Sequence, residues 1–334
     1  MNTFNYFLII FTLINLLIVF SFNKLFFLHY ILDKPDKKRK LHLKPIPLAG
    51  GIILIINIII YFITIILNEK FLLNEIFFNN YFELYVFILS ALSIFFVGFF
   101  DDKNDLSPNH KFLILLSIIL ITMIFDQNLV ISSINFSFLD EVIYLGKYSL
   151  FFTCFCFLVF LNAFNMFDGI NVQVSFYSII IFCFMLFFLI DSYLVKIILI
   201  FLLFYSYLNY KNKSFLGDSG SLLLAFLISY TFIKLHNYGQ IKFADEIFIF
   251  MMLPGLDLIR VFFKRILNNI NPLRPDRTHL HHMLIFKFTH MLSLIIIQLF
   301  IIVPIILLYL DIDRLFIIVG TILCYLMMVY KLDK

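Results

Sequence analysis

Two adjacent carboxylates, Asp101 and Asp102, end a long apolar run in the stretch 98–105, Gly-Phe-Phe-Asp-Asp-Lys-Asn-Asp. A lipid-facing helix disfavours such a pair, because charge is costly at membrane depth. At a helix end that faces water the cost falls, and paired carboxylates become useful for holding a divalent cation. Since two adjacent carboxylates repel, either a cation neutralises them or one retains a proton that it can exchange. The pair predicts a metal or acid–base site at the end of a membrane span.

A second polar group, Asn162, Asn165 and Asp168, follows another apolar run. The spacing of three places these side chains on one face if the segment is helical. Packing alone explains such a face poorly, whereas a polar ligand or the outer shell of a metal site would use it.

A third carboxylate, Asp218, lies between glycines in Gly217-Asp218-Ser219-Gly220, directly before the next apolar run. Asp218 and Ser219 suit plain helix N-caps. A carboxylate at the positive end of a helix, flanked by glycines, also suits a phosphate–magnesium site. Both interpretations stay open at this point.

Three histidines, His279, His281 and His282, lie within four residues and beside Arg274 and Arg277. Zinc is an alternative, but no neighbouring Cys/His pair completes a tetrahedral site. Histidine and arginine side chains also bind phosphate oxygens, which favours an anionic ligand here.

The first polar loop, 33–47, carries a basic run that ends at Lys44 and leads into Gly50-Gly51. The run suits an anchor on the cytoplasmic side of a membrane, or a funnel for anionic lipid or nucleotide phosphates. The paired glycines after two prolines predict a tight backbone at the start of the second span.

Composition indicates the elements that must position these loops. The 334 residues are 63% hydrophobic, with a mean hydropathy of +1.02, against roughly 45–50% apolar residues in soluble domains. Four cysteines, all in apolar runs, favour small buried hydrophobes over a zinc site. We predict an all-α polytopic membrane protein of one domain, 1–334, with eleven spans at 4–28, 48–67, 82–100, 112–125, 148–166, 174–191, 194–210, 218–234, 245–263, 288–309 and 313–331.

Lysine and arginine residues predict the orientation of the chain. The loops that carry the polar groups, with the C-terminal tail, hold seventeen basic residues, and the opposite loops hold six. The positive-inside rule then places the N-terminus outside, and the C-terminus and every polar group on the cytoplasmic side. No basic residue precedes the first run and no small-residue cleavage site follows it, which predicts a retained span. The long external loop 126–147 predicts a short hairpin between 130–136 and 142–145.

Together, these loops resemble the polyprenyl-phosphate N-acetylhexosamine-1-phosphate transferases, along almost the whole chain and in the same order. The form His279-Leu280-His281-His282 resembles the undecaprenyl-phosphate GlcNAc-1-phosphate transferase branch. The resemblance implies transfer of a sugar 1-phosphate from a UDP-N-acetylhexosamine to polyprenyl phosphate, with release of UMP. It further implies Mg²⁺, with Mn²⁺ as the alternative, a multi-pass protein of the bacterial inner membrane, and a step that initiates cell-surface glycan synthesis such as that of O-antigen. It gives no role to nucleic acid and leaves a homodimer open.

The resemblance also implies roles for individual residues. Asp101 and Asp102 match catalytic carboxylates, and Asp218, with Asp102, matches the metal site. The substrate-binding matches are Lys44, Lys111, Asn162, Asn165, Asp168, Asn171, Phe215, Arg274, Arg277, His279, His281 and His282. Phe215 matches an aromatic residue that stacks on uracil, and the histidines match a motif near the pyrophosphate and sugar.

One segment departs from the family pattern. Where the family has Asp-Gly-x-Asp-Gly, this chain has Asp168-Gly169-Ile170-Asn171-Val172, a change that bears on recognition of the sugar or uridine. Two alternatives from other classes remain: a transporter or lipid flippase, since such proteins also carry carboxylates in spans, and an inactive relative. Clustering of the charged residues at span ends, with no internal repeat, favours the enzyme.

Overall fold

The computed structural model describes residues 3–35, 44–68, 72, 75–269 and 278–333. Within them are twelve α-helices: α1 Thr3–Ser21, α2 Gly50–Leu67, α3 Tyr81–Asn104, α4 Pro108–Phe125, α5 Ser149–Phe167, α6 Gln173–Phe184, α7 Tyr193–Tyr210, α8 Gly217–Asn237, α9 Ala244–Leu267, α10 Leu280–Lys287, α11 His290–Tyr309 and α12 Arg314–Asp333. Four two-residue strands form two antiparallel pairs: β1 Leu32–Asp33 with β2 Ile46–Pro47, and β3 Ser133–Ile134 with β4 Ile143–Tyr144.

Each of the eleven predicted spans coincides with a helix, and the short α10 adds a twelfth. Nine helices in the described part of the chain are long and apolar enough to cross a membrane, which confirms an all-α, multi-pass membrane protein. The other two predicted spans correspond to α6, which continues as a π-helical turn at Met185–Leu189, and to α9. Large apolar side chains on many helices are exposed, as lipid-facing residues are, including Phe20, Phe151 and Phe316.

The chain divides into two compact units, each built from two segments. The first unit comprises Met1–Gln127 and Ser178–Ile228. Its α1 and α2 each pack on α7, and α3 packs on both α2 and α4. Asn15 and Asn57 join α1 to α2 through reciprocal side-chain hydrogen bonds of 2.7 and 3.2 Å. Paired amides of this kind hold apolar helices together in lipid, where the helices gain nothing from being transferred out of water.

The second unit comprises Asn128–Tyr177 and Ser229–Lys334. Helix α9 is its centre, since it packs on α5, α11 and α12. The predicted hairpin is confirmed: Ser133 pairs with Tyr144, and Ile134 pairs with Ile143.

A tight junction between α3 and α4 brings chemistry-bearing residues together in the first unit. Helix α3 ends at Asn104, and its C-terminal cap residue, Asp105, has a left-handed backbone (φ 49°). Helix α4 begins one turn of chain later, where Ser107 caps it and Pro108 occupies its first position, as proline does without losing a helical hydrogen bond. The last turn of α3 and the first turn of α4 are thereby adjacent.

Candidate active site

Lys111 links two of the predicted carboxylates in the first unit. Its Nζ lies 2.6 Å from Asp101 Oδ2 and 2.7 Å from Asp218 Oδ2. Asp101 and Lys111 are nearly buried, with 10% and 11% of their side chains exposed, whereas Asp218 is 37% exposed. The backbone N–H of Leu106 donates to Asp101 Oδ1 at 2.7 Å. Two carboxylates therefore share one ammonium group, which leaves a net negative site that is accessible at Asp218.

Asp102, the neighbour of Asp101, caps another helix. Its Oδ1 accepts from the backbone N–H of Asp218 at 2.7 Å. Its Oδ2 accepts from the backbone N–H of Ser219 at 3.0 Å and from Ser219 Oγ at 2.7 Å. The N-terminus of α8 is thus capped by a carboxylate from α3. The negative charge of this carboxylate also interacts favourably with the positive end of the helix dipole. This arrangement fixes the backbone that carries Asp218.

Glycines let the three backbones approach closely enough for this cap. A methyl group at Gly98 would overlap Ser219 Cα and the carbonyl oxygen of Asp218. Gly217 has φ +75°, and a side chain there would meet the Asp102 carboxylate at 2.7 Å. The predicted tight backbone at Gly50-Gly51 is confirmed, since its N–H groups donate to the carbonyls of Phe215 and Leu216, both at 3.1 Å.

The carboxylates of this site are of the kind that holds a magnesium ion. In the described part of the chain no group of three or more His, Cys, Asp or Glu side chains is arranged to hold a metal. Mg²⁺ is usually held by only one or two carboxylates together with substrate phosphates and water. Asp101 and Asp218 already converge on one cation, and their oxygens are the hard ligands that Mg²⁺ prefers. The donor set fits a magnesium ion that binds together with a phosphate.

The second unit carries the other predicted polar group at the end of α5. Asn162 and Asn165 lie one turn apart on this helix, and Asp168 is its C-terminal cap residue. Asn162 Nδ2 donates to the carbonyl of Leu158 at 2.8 Å, within its own helix. The spacing argument for a shared helical face is therefore confirmed for the two asparagines.

The departure from the family pattern coincides with an unusual backbone. Val172 has φ +63° and is buried. A β-branched residue is a clear outlier in the left-handed region, where glycine has no penalty. This conformation would suit glycine, and the chain adopts it with valine in this position. Its carbonyl accepts from the N–H of Phe176 at 2.9 Å, near the start of α6.

The histidine cluster is packed at the start of α10. The rings of His279 and His281 are parallel with centroids 5.8 Å apart, and those of His281 and His282 are 4.2 Å apart. His279 and His281 are buried, and His282 is half-buried. Burial, reinforced by the neighbouring His282, lowers the pKa of His281 to about 3. The His281 ring is therefore neutral at physiological pH and offers a hydrogen bond, not a charge.

Gly169 makes room for His281. A methyl group on Gly169 would overlap the ring atoms Nε2, Cδ2 and Cε1 of this buried histidine. We expect Gly169→Ala to displace the ring, to destabilise the protein by about 1–3 kcal/mol and to lower the activity tested below. The matched control is Gly255→Ala in α9, because no atom lies within 4 Å of the added methyl. Thermal unfolding of both variants measures the difference, and equal melting temperatures would contradict the steric account.

An ion-pair network beside the histidines was missed by the sequence analysis. Asp257 and Arg260, one turn apart in α9, form an ion pair of 2.7 Å, and His279 Nδ1 lies 2.7 Å from Asp257 Oδ2. The signal was present, since ionisable residues inside an apolar helix indicate function by default. Tyr325 in α12, which also contacts Asp257, gave no such signal, because a single tyrosine in an apolar helix is ordinary.

The remaining predicted residues fall into two groups. Phe215 is half-buried, and its backbone N–H donates to the carbonyl of Pro47 at 2.9 Å, while Lys44 is exposed. Arg274 and Arg277, together with the basic residues 37–40, lie outside the described residues.

Comparison with known proteins gives a consistent result. Residues 84–236 match the family described as Glycosyl transferase family 4. The chain is 27% identical over 275 residues to the undecaprenyl-phosphate alpha-N-acetylglucosaminyl 1-phosphate transferase of Escherichia coli O157:H7, covering 76% of this chain and 69% of that protein. It is 28% identical over 279 residues to the probable undecaprenyl-phosphate N-acetylglucosaminyl 1-phosphate transferase of Bacillus subtilis (strain 168), covering 80% and 73% respectively.

Proposed function

We propose, from the match of residues 84–236 to the family described as Glycosyl transferase family 4, that the chain transfers N-acetylglucosamine 1-phosphate from UDP-N-acetylglucosamine to undecaprenyl phosphate and releases UMP. The names of its relatives, which are undecaprenyl-phosphate N-acetylglucosaminyl 1-phosphate transferases, support the acceptor and the sugar. The observation that carries the proposal is the pair of carboxylates, Asp101 and Asp218, held around Lys111 at the ends of membrane-spanning helices.

The placement of these residues suits the two substrates. The acceptor has its isoprenoid chain in the bilayer and its phosphate at the surface, whereas the nucleotide sugar is in water. A site at the ends of spans is therefore the position where both phosphates can arrive. The positive-inside argument assigns this side to the cytoplasm, where UDP-sugars are made. In a bacterium the enzyme is then a multi-pass protein of the plasma membrane, and its lipid-linked sugar initiates a cell-surface glycan.

In the proposed reaction an oxygen of the lipid phosphate attacks the β-phosphorus of the nucleotide sugar, to which the sugar is attached. The new bond joins this oxygen to the β-phosphorus, the bond from the β-phosphorus to the bridging oxygen breaks, and UMP leaves. Asp101 accepts the proton of the lipid phosphate, so that the attacking oxygen is fully ionised. Lys111, already bound to both carboxylates, offsets the repulsion between the two phosphate groups.

Asp218, the more exposed carboxylate, together with the phosphate oxygens would hold Mg²⁺, or Mn²⁺ as the alternative. Such an ion would stabilise the negative charge on the transferred phosphoryl group and on the departing UMP. Asp102 keeps Asp218 in place through the cap on α8. By the family motif, Asn165, Asp168 and the histidine cluster belong to recognition of the nucleotide sugar.

The direct test uses purified protein in detergent with UDP-N-acetylglucosamine, undecaprenyl phosphate and Mg²⁺. We expect UMP and a lipid-linked sugar phosphate in equal amounts, because each transfer yields one of each. Chelation with EDTA should lower the rate at least about 100-fold, and added Mg²⁺ should restore it. A folded preparation that forms neither product from any UDP-N-acetylhexosamine would overturn the proposal.

The same assay separates the enzyme from a transporter or flippase. A detergent micelle has no two compartments, so a transporter gives no product there, whereas a transferase does. Supplying UDP-N-acetylgalactosamine in place of UDP-N-acetylglucosamine tests the sugar, which is the part of the proposal affected by Asn171 and Val172.

A further inference from the structure

A cavity of about 480 Å³ lies between α9 and α12 in the second unit. Its volume is within the range of about 300–1,000 Å³ that is typical of pockets for small ligands. The cavity is outside residues 84–236, the segment that matches the family, so that match gives it no role. Its walls are one face of each helix, represented by Leu256, Arg260, Phe263 and Lys264 of α9 and by Ile322 and Leu326 of α12.

Most of the wall is apolar and faces the bilayer. Phe263 of α9 and Leu326 of α12 are both more than half exposed, and exposed apolar side chains on a membrane span face lipid. Ile259 and Leu267, which also line the cavity, continue the exposed face of α9. A ligand of this cavity therefore arrives from the bilayer and has at least one apolar chain.

One end of the cavity is basic. Lys264 is one turn after Arg260 on the lining face of α9, which places it about 6 Å nearer the end of the helix. Its Nζ lies 3.1 Å from Asp333 at the end of α12, where Lys287 Nζ donates to the carbonyl of Lys331 at 2.9 Å. Asp333 balances only one of these lysines, so the described residues at this end leave a net positive charge. The positive-inside rule assigns the end to the cytoplasmic leaflet, whose anionic lipids such lysines attract.

Arg260 offers hydrogen-bond donors one turn deeper in the cavity. Its Nε donates to the Tyr325 hydroxyl at 2.8 Å. Its Nη2 donates to Asp257 Oδ1 at 2.7 Å and to the carbonyl of Thr278 at 2.6 Å. Its Nη1 is buried and makes no hydrogen bond in the described part of the chain. Because a buried donor without an acceptor is costly, a ligand with oxygen acceptors at this depth would complete the guanidinium group.

A phospholipid has its groups in the same order as these side chains. Its phosphate is at the membrane surface, its ester carbonyls lie several ångströms deeper, and its acyl chains follow. Polyprenyl phosphate has the phosphate but no ester carbonyls. The order of Lys264, Arg260 and the apolar walls therefore favours a phospholipid over the acceptor of the proposed reaction.

We propose that the cavity between α9 and α12 binds an anionic phospholipid of the cytoplasmic leaflet. Lys264 contacts the phosphate, Nη1 of Arg260 donates to an ester carbonyl, and an acyl chain lies along the apolar walls. The lipid joins α9 to α12 and so stabilises the second unit. This inference is independent of the transferase reaction, since neither substrate takes part in it.

The test is native mass spectrometry of the delipidated full-length protein in detergent, titrated separately with phosphatidylglycerol and phosphatidylcholine. The two lipids share acyl chains and ester groups and differ in net charge. We expect a single phosphatidylglycerol to bind at least about 10-fold more tightly than phosphatidylcholine, because several basic residues face its headgroup. It should also raise the melting temperature. Equal affinities of the two lipids would overturn the proposal.

Variants then test the position of the lipid. Lys264→Gln should weaken the binding of phosphatidylglycerol by about 5-fold and leave phosphatidylcholine unchanged, since a basic residue at an anionic membrane surface contributes roughly that factor. The matched control is Lys242→Gln, the same change of charge at an exposed lysine just before the start of α9, at its other end. Ile322→Trp should weaken both lipids, because the larger ring fills the cavity. Unchanged phosphatidylglycerol binding by Lys264→Gln or by folded Ile322→Trp would overturn the proposed site.

Two further lipids test the identity of the ligand. A dialkyl ether analogue of phosphatidylglycerol keeps the phosphate without the ester carbonyls, and we expect it to bind more weakly than the diester. Equal binding of the two would overturn the role given to Arg260. Undecaprenyl phosphate should not displace phosphatidylglycerol at equal concentration, and displacement would assign the cavity to the acceptor instead. All of these readouts stay valid whether or not the protein releases UMP.

Discussion

Replacing Asp101 with asparagine is expected to lower UMP release by roughly 1,000-fold, within the range that a positioned acid–base group contributes. Asparagine keeps the size of the side chain and can still accept from the N–H of Leu106 at Oδ1. It cannot take a proton from the lipid phosphate, and it no longer balances the charge of Lys111, whose ammonium lies 2.6 Å away. The loss should therefore be in kcat while the protein stays folded.

The matched control is Asp105→Asn, which makes the same change four residues later in the chain. Asp105 is exposed and has a left-handed backbone, which asparagine adopts readily. Its turnover should equal that of the wild type. Asp218→Asn should also lose activity, but excess Mg²⁺ should recover part of it, whereas Asp101→Asn should not respond to the metal. Near-normal turnover of Asp101→Asn would remove this residue from the reaction.

The sequence predicted the carboxylate pair as catalytic residues, and the structure gives its two members different contacts. Charge next to an apolar run was enough to locate Asp101 and Asp102. Which of them faces Lys111 and which faces the start of α8 depends on side-chain directions at a helix end and on the close approach that Gly98 permits. The cap on α8 is not encoded in a local pattern, since Asp102 and Gly98 each meet residues more than 100 positions away.

For the histidine cluster, too, the sequence predicted the local motif but not its distant partners. Three histidines in four residues are a local signal, and the structure packs them together. Their support comes from Asp257, 22 residues earlier, and Tyr325, on the last helix. The sequence analysis predicted a span at 245–263, within α9, and assigned no partner to the charges in it. The left-handed backbone of Val172 was equally hidden, because the residue itself gives no sign of it.

Asp102→Asn is expected to lower the stability of the protein more directly than it lowers the rate of the reaction. The carboxylate accepts two backbone N–H groups and one hydroxyl at the N-terminus of α8. The amide of asparagine would turn a donor towards one of them, so that a capping bond is lost and a repulsive contact appears. We expect a loss of about 2–4 kcal/mol, and a melting temperature lower by roughly 5–10 °C for a protein of this size.

The melting temperature can be measured by cysteine labelling, because the chain has no tryptophan to report unfolding but has four cysteines. Of these, Cys154 is buried and Cys324 is exposed. With Cys156, Cys183 and Cys324, none of which is fully buried, replaced by serine, a fluorogenic maleimide reports the unfolding that uncovers Cys154. The control is Asp101→Asn, the same substitution one residue earlier, which should melt near the wild-type temperature although it is inactive.

The two substitutions would then have different effects: Asp101→Asn would lower turnover, and Asp102→Asn would lower stability. An Asp102→Asn protein that melts with the wild type yet loses activity as fully as Asp101→Asn would contradict the capping role. Asp102 would then have to face the substrates, as its neighbour does. The expected result would instead show that Asp102 affects catalysis through the structure around Asp218. Asp102 holds the first turn of α8, and that turn carries the carboxylate proposed to bind magnesium.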